Sequence, residues 1–218
     1  MENETLEDLF SSTNDIISDV DDRTLSSEKY AYSLKLRLDD IEDEKKLHKF
    51  IRSCESLIRH SPEYKLWTSY IREVLGESSC TVTGELHQQT HVDIHHHPFS
   101  LYAITKAIIN KLIINKDGFC SFDIATKVIE LHYENRVGYI PLVSSIHEKY
   151  HNGFIQLPME LVKGDWRFMY DNYIQYLDDE DVGTINSRLS ISKNNCGWNK
   201  DKTWNRDNYK KGVETLSK

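Results

Sequence analysis

The sequence lacks long apolar runs, paired cysteines and an excess of positive charge. No stretch of about 18 apolar residues occurs, which argues against a transmembrane span, and the acidic opening MENETLEDLF is unlike a secretory signal. None of the four cysteines belongs to a Cys-x-x-Cys pair, so a four-cysteine zinc site is not expected. We therefore predict a cytoplasmic protein with reduced thiols and no membrane segment.

The net charge of −8 belongs entirely to one end of the chain. Residues 1–46 contain 14 Asp and Glu against 6 Lys and Arg, whereas the remainder of the chain contains 21 of each kind. Binding to a phosphate backbone draws on clustered Lys and Arg. A neutral body therefore permits contact with nucleic acid without predicting it.

Apolar periodicity predicts helices in the first third of the chain. KLHKFIRSCESLIRH, residues 46–60, repeats apolar residues at the spacing of one buried helix face. Pro62 begins a second helix that Gly76 ends. We expect this second helix to bury Leu66, Trp67, Tyr70, Ile71 and Val74.

From residue 80 onward, short segments with alternating character predict strands. CTVTG at 80–84 and HVDIHHHPF at 91–99 are expected to be two strands joined through Gly84, and VGYIPLV at 137–143 to be a third. Helical patterns cover FSLYAITKAIINKLI, SFDIATKVIELHY and SSIHEKYHNG, with a further helix near 163–177.

The predicted fold is α+β, mainly helical, with a small antiparallel β-hairpin and a helical insertion. We divide the chain into an acidic N-terminal arm (1–26), a helical region (27–78), a domain carrying the strands and the insertion (79–177) and a polar C-terminal tail (178–218). The tail is expected to be extended, with Trp198 and Trp204 available for docking.

Histidines are concentrated in one region, since eight of the ten lie between residues 87 and 151. His147 and His151 are four residues apart on a predicted helix, which places both imidazoles on one face. His95 and His96 end a predicted strand, where successive side chains point to opposite faces. Three neutral imidazoles with an open position are a typical ligand set for a catalytic divalent ion, and a fourth imidazole away from the metal suits a general base.

These segments together resemble the HNH nucleases of the ββα-metal (His-Me finger) group, of the phage type. Cys80-Thr81-Val82-Thr83-Gly84 is similar to the opening turn of that family, Ile94-His95-His96 to its strand end, Ile140-Pro141-Leu142 to its second strand, and His147 with His151 to its helix. The similarity extends from position 80 to position 153 of the chain. The residue in register with the family's central Asn lies near Gly138.

The resemblance implies a metal-dependent endonuclease that hydrolyses DNA. His95, His147 and His151 would bind one divalent metal ion, zinc or magnesium, and His96 would be the catalytic general base that activates water. The resemblance leaves two roles for His97, Lys149 and Arg136. They would either support the metal ligands without binding the ion or contact phosphates of the DNA.

A second hypothesis stays open, because the family's central Asn, which would fall near Gly138, is absent. The chain would then be a catalytically degenerate HNH-like module that serves as a protein-interaction or virion structural component. Its protein partners would be bound through the acidic N-terminal arm or the Trp-containing tail. On either hypothesis a phage or mobile-element origin is expected, with the protein in the host cytoplasm or the virion.

Overall fold

The computed structural model describes residues 41, 43–88, 90–117 and 119–194. The acidic arm at 1–26, Trp198 and Trp204 lie outside these residues. Within the described ranges there are seven α-helices and one two-stranded antiparallel sheet, which confirms the predicted α+β, mainly helical class. None of the helices found there is long and apolar enough to cross a membrane. The domain boundaries proposed from the sequence stay a prediction.

In the described part of the chain, two helices precede each strand and three helices follow the second strand. The elements are α1 (Glu44–His60), α2 (Pro62–Glu73), β1 (Val92–His96), α3 (Leu101–Asn115), α4 (Ser121–Tyr133), β2 (Tyr139–Val143), α5 (Ser144–His151), α6 (Trp166–Tyr173) and α7 (Asp179–Leu189). Short 3₁₀ turns occur at Met159–Leu161 and Ile174–Tyr176. The chain divides into two compact units.

The first unit contains α1, α3 and α4, which pack against one another. α1 begins where the Asp43 side chain accepts hydrogen bonds from the backbone amides of Lys45 and Lys46, at 3.0 and 3.2 Å. Its predicted apolar face is confirmed, since Phe50, Ile51, Cys54 and Ile58 are buried. A histidine, His132 of α4, is fully buried in this unit.

The second unit contains the sheet and α5. β1 pairs with β2 over the register from Val92 opposite Val143 to His96 opposite Tyr139. α5 follows β2 without a break and packs on both strands. A core of buried residues surrounds this corner: Cys80, Val82, Val92, Ile140, Leu142, Val143, Ile146, Ile155, Leu157 and Leu161. The side chains of β1 and α5 therefore emerge from a well-packed corner.

The predicted strand at Cys80–Gly84 is wrong. These residues form a turn in which the Gly84 amide donates to the Cys80 carbonyl at 2.7 Å and Gly84 has a φ of 74°. A positive φ favours glycine and interrupts an extended strand. β1 pairs instead with β2, which follows the helices of the insertion in the sequence.

Two helix expectations also need correction. Trp67 and Ile71 of α2 are buried as predicted. Leu66 and Tyr70 of this helix and Val74, which directly follows it, are instead 64%, 45% and 68% exposed. The polar tail is not extended at its start, because Asp178 accepts from the Asp181 amide at 2.9 Å and begins α7. The Asp side chain at this position supplies an acceptor to an otherwise unpaired helix amide.

Candidate metal centre

Three histidines from two elements meet at the sheet corner. His95 comes from the end of strand β1, and His147 and His151 come from successive turns of α5. One ring nitrogen from each histidine can serve as a ligand atom, and these three nitrogens lie within 4.8 Å of one another. His95 is 7% exposed, His147 is half-buried and His151 is exposed, so the cluster runs from the interior to the surface.

The nitrogen atoms converge on His147. Nε2 of His147 lies 2.9 Å from Nδ1 of His95 and 2.9 Å from Nε2 of His151. Ligands of a tetrahedral zinc ion at about 2.0–2.1 Å are about 3.3 Å from one another. Both separations from His147 are within about half an ångström of this value, and the third pair of nitrogens lies within 4.8 Å. The residues present therefore fit a metal.

The proton positions on His147 follow from its other neighbour. Nδ1 of His147 lies 3.1 Å from Oδ2 of Asp93, and an ionised carboxylate only accepts. Nδ1 therefore carries the proton and Nε2 presents a lone pair to the cluster. One lone pair cannot accept full hydrogen bonds from both His95 and His151, whereas one cation could accept a lone pair from each of the three imidazoles.

The protonation equilibria favour the forms that bind metal. Burial, and after it the neighbouring His147 imidazole, lower the pKa of His95 well below its ordinary value. The hydrogen bond from His147 lowers the pKa of Asp93 despite its partial burial. His95 is therefore a neutral imidazole and Asp93 a carboxylate near neutral pH, and neutral imidazole is the metal-binding form.

Asp93 and Tyr150 are site residues that sequence reasoning missed. Oδ1 of Asp93 lies 2.9 Å from Nε2 of His91, so the carboxylate joins two imidazoles. The Tyr150 ring contacts His95 edge to face, at 4.8 Å between centroids. A sequence signal existed for Asp93, since it is two residues before His95 on the same strand face.

His97 lies deeper, behind the cluster. Its Nδ1 is 3.4 Å from the Tyr150 hydroxyl, and burial, followed by the Arg188 guanidinium, lowers its pKa to about 3. Nε2 of His97 and Nε2 of His95 are both buried with no hydrogen-bond partner among the residues that are described. These imidazoles form the inner wall of the centre.

The remaining predicted site residues lie outside the cluster of three histidines. His96 is 4% exposed and its ring stacks on Trp67 at 5.9 Å, with 21° between the planes. Arg136 pairs with Asp165 at 3.4 Å and covers the Phe168 ring at 4.5 Å. Lys149 is half-buried on α5. The structure thus brings together the three predicted ligands, while a catalytic role for His96 stays untested.

The residue in register with the nuclease family's central Asn cannot carry a side chain here. A Cβ atom on Gly138 would clash with the backbone carbonyl of His97 and would lie 2.6 Å from Cβ of Trp166. The His97 amide donates to the Gly138 carbonyl at 3.0 Å, which holds the two segments together. Glycine at this position is therefore required by packing.

Comparison with known proteins decides the family. The family model described as Bacteriophage G278-like virion protein matches residues 2–215, almost the entire chain. Comparisons with curated proteins and with solved structures gave no significant match. The assignment to HNH nucleases, with the hydrolase activity it implied, is therefore wrong, whereas the expected phage origin is confirmed. The chain belongs to the family of Bacteriophage G278-like virion proteins.

Proposed function

We propose that this virion protein is a structural component of the phage particle in which one divalent transition-metal ion joins strand β1 to helix α5. The convergence of His95, His147 and His151 on a single point supports the metal. The ion would connect two segments that are far apart in the chain. It would stabilise the sheet corner, because a ligand that binds only the folded state adds its binding free energy to folding.

The donor set favours zinc over magnesium. Imidazole nitrogens suit zinc, copper, nickel and iron, whereas magnesium prefers oxygen ligands and keeps several waters. The cluster offers three nitrogens, and its nearest carboxylate, Asp93, is already engaged by His91 and His147. Magnesium, the other ion considered from the sequence, is therefore disfavoured as the resident metal.

Elemental analysis of tag-free protein tests this proposal. We expect about one zinc or similar ion per chain in the wild type and loss of that ion in His147→Ala. His60→Ala is the matched control, since His60 is an exposed histidine on α1 outside the cluster. Absence of bound metal after addition of zinc, nickel, manganese and magnesium would refute a metal centre at this corner.

Protein partners are expected for a virion protein, and we propose two kinds of contact surface. The family model extends over the acidic arm and over Trp198 and Trp204, so these terminal segments belong to the family's shared sequence. Leu66 and Tyr70 of α2 and Val74, which directly follows this helix, are exposed apolar residues at four-residue spacing. Contiguous apolar surface of this kind marks contact sites between proteins.

Phage particles that carry altered copies test the contact surfaces. We expect deletion of residues 2–26 or 195–218, or Leu66→Asp with Val74→Asp, to reduce incorporation of the chain into purified particles, measured by quantitative mass spectrometry. Ile114→Asp, which changes an exposed apolar residue on α3, is the control. Full incorporation of every variant would show that none of these surfaces mediates assembly. The host-cytoplasmic location stays a prediction.

A further inference from the structure

The carboxylate of Asp93 touches no nitrogen that would bind the metal, yet it controls the residue at the centre of the cluster. Oδ2 of Asp93 accepts from Nδ1 of His147 at 3.1 Å, and Oδ1 lies 2.9 Å from Nε2 of His91. The Ser144 hydroxyl is 3.4 Å from the same Oδ2. The three contacts hold the carboxylate in one orientation beside α5.

We propose that Asp93 is the positioning residue of the metal centre, with His91 as its outer support. This inference rests on the proposed metal-binding function. By accepting the Nδ1 proton of His147, Asp93 selects the tautomer whose Nε2 lone pair faces His95 and His151. A neutral imidazole without this acceptor distributes its proton between the two nitrogens. In the other tautomer Nε2 would carry a hydrogen and could not bind a cation.

The selection matters most at His147, because its Nε2 is the one atom within 2.9 Å of both other ligand nitrogens. A wrong tautomer there would remove the central ligand and not a peripheral one. The negative charge of Asp93 also increases the electron-donating strength of the imidazole, and loss of such a carboxylate typically lowers metal affinity about 10- to 100-fold.

The contributions of the two partners of Asp93 should differ. His91 has a side chain that is 65% exposed, and the side chain of Asp93 is 31% exposed. Even a fully charged pair at this exposure contributes only up to about 1 kcal/mol, which corresponds to at most about a fivefold change in affinity. Removal of His91 should therefore weaken metal binding by fivefold or less, well below the effect of removing Asp93.

Zinc and cobalt affinities of the full-length variants, measured by competition with a chromophoric chelator, test the role. We expect Asp93→Ala to bind about 10- to 100-fold more weakly than the wild type, Asp93→Asn to lie between them, and Asp93→Glu to recover part of the loss. Asp165→Ala is the matched control, because Asp165 is also a partly exposed carboxylate in an ion pair, with Arg136 at 3.4 Å. Equal affinity of Asp93→Ala and Asp165→Ala would overturn the inference.

The tautomer itself gives a readout that does not require metal. Long-range ¹⁵N–¹H spectra of the metal-free protein should place the His147 proton on Nδ1 in the wild type and partly on Nε2 in Asp93→Ala. If Asp93→Ala fails to fold, Asp93→Asn keeps the shape of the side chain and removes its charge, so an affinity equal to the wild type would overturn the inference. A wild type that binds no metal would refute the proposed function. A His147 tautomer that is unchanged in the variants would refute the positioning role alone.

Discussion

Burial of His132 predicts a loss of stability in mild acid. The ring is 1% exposed, its Nδ1 lies 2.6 Å from the Val128 carbonyl and it contacts Tyr64 edge to face. Burial, the largest cause, lowers the pKa of His132 to about 4 in the folded chain, and repulsion from Arg59 acts in the same direction. The unfolded chain has the ordinary pKa of about 6.5.

The sign of the effect follows from proton binding. Between pH 6.5 and 4 the unfolded chain takes up a proton on His132 that the folded chain excludes, so stability is fully present above pH 6.5 and falls as the pH falls toward 4. The difference in pKa corresponds to about 3 kcal/mol at the acid end, of which about 2 kcal/mol is lost by pH 5.

Urea unfolding at several pH values between 8 and 5, in chelator, measures this loss. The wild type should lose about 2 kcal/mol more between pH 8 and pH 5 than His132→Leu does. Val128→Ala, a buried substitution in the same helix that removes no titratable group, should keep the pH dependence of the wild type. Parallel stability curves for the wild type and His132→Leu would refute the reasoning that this histidine is buried in its neutral form.

Three further predictions concern the packing of a glycine, a helix cap and the proposed metal. Gly138→Ala should lower the free energy of unfolding by about 1–3 kcal/mol, because the added Cβ has no space. Gly183→Ala, in α7 with nothing within 4 Å of the added Cβ, should raise it by up to about 1 kcal/mol. A Gly138→Ala protein as stable as the wild type would contradict this packing. Asp178→Ala should cost about 1 kcal/mol through loss of the α7 cap, and Asp178→Ser should cost less, both read by thermal unfolding. Excess zinc should raise the Tm of the wild type and leave that of His147→Ala unchanged, and a rise of equal size in both would place the binding elsewhere.

The helices with strong periodicity could be predicted from the sequence, because burial of one face is a local pattern. α1, α3 and α4 begin and end close to their expected positions. The expected buried face of α2 is too wide, because apolar residues at 66, 70 and 74 follow helical spacing equally well on a solvent-exposed stripe. Periodicity identifies a face, but the neighbouring elements decide whether that face is covered.

Elements determined by turns and caps are harder to predict. The Val and Thr of CTVTG favour a strand, yet hydrogen bonds around Gly84 make a turn there. Periodicity does not predict α7, because its apolar content is low. Its start does carry a helix signal, an Asp cap followed by three acidic residues in the first turn.

The candidate site was predictable only in part. The spacing of His147 and His151 places them on one helix face, and their approach to His95 depends on the register of β1 with β2. The role of Asp93 depends on a contact with His147, distant in the chain, which no local pattern contains. The HNH resemblance placed the correct residue types in a similar order, but the family model assigns the chain to virion proteins.

The pairing of β1 with β2 has a consequence for folding kinetics. His96 meets Tyr139 only after the intervening residues 97–138 close into a loop. Closing a loop of this length costs about 1 kcal/mol more in chain entropy than closing a hairpin of about 10 residues. Non-local strand pairing of this kind slows folding. The same loop closure brings His95 and His147 together, so the proposed metal site is complete only after β1 and β2 have paired. For the proposed metal site, a cobalt absorption band should therefore appear only once β1 and β2 have paired, so that the ion would stabilise the finished chain and would not nucleate folding.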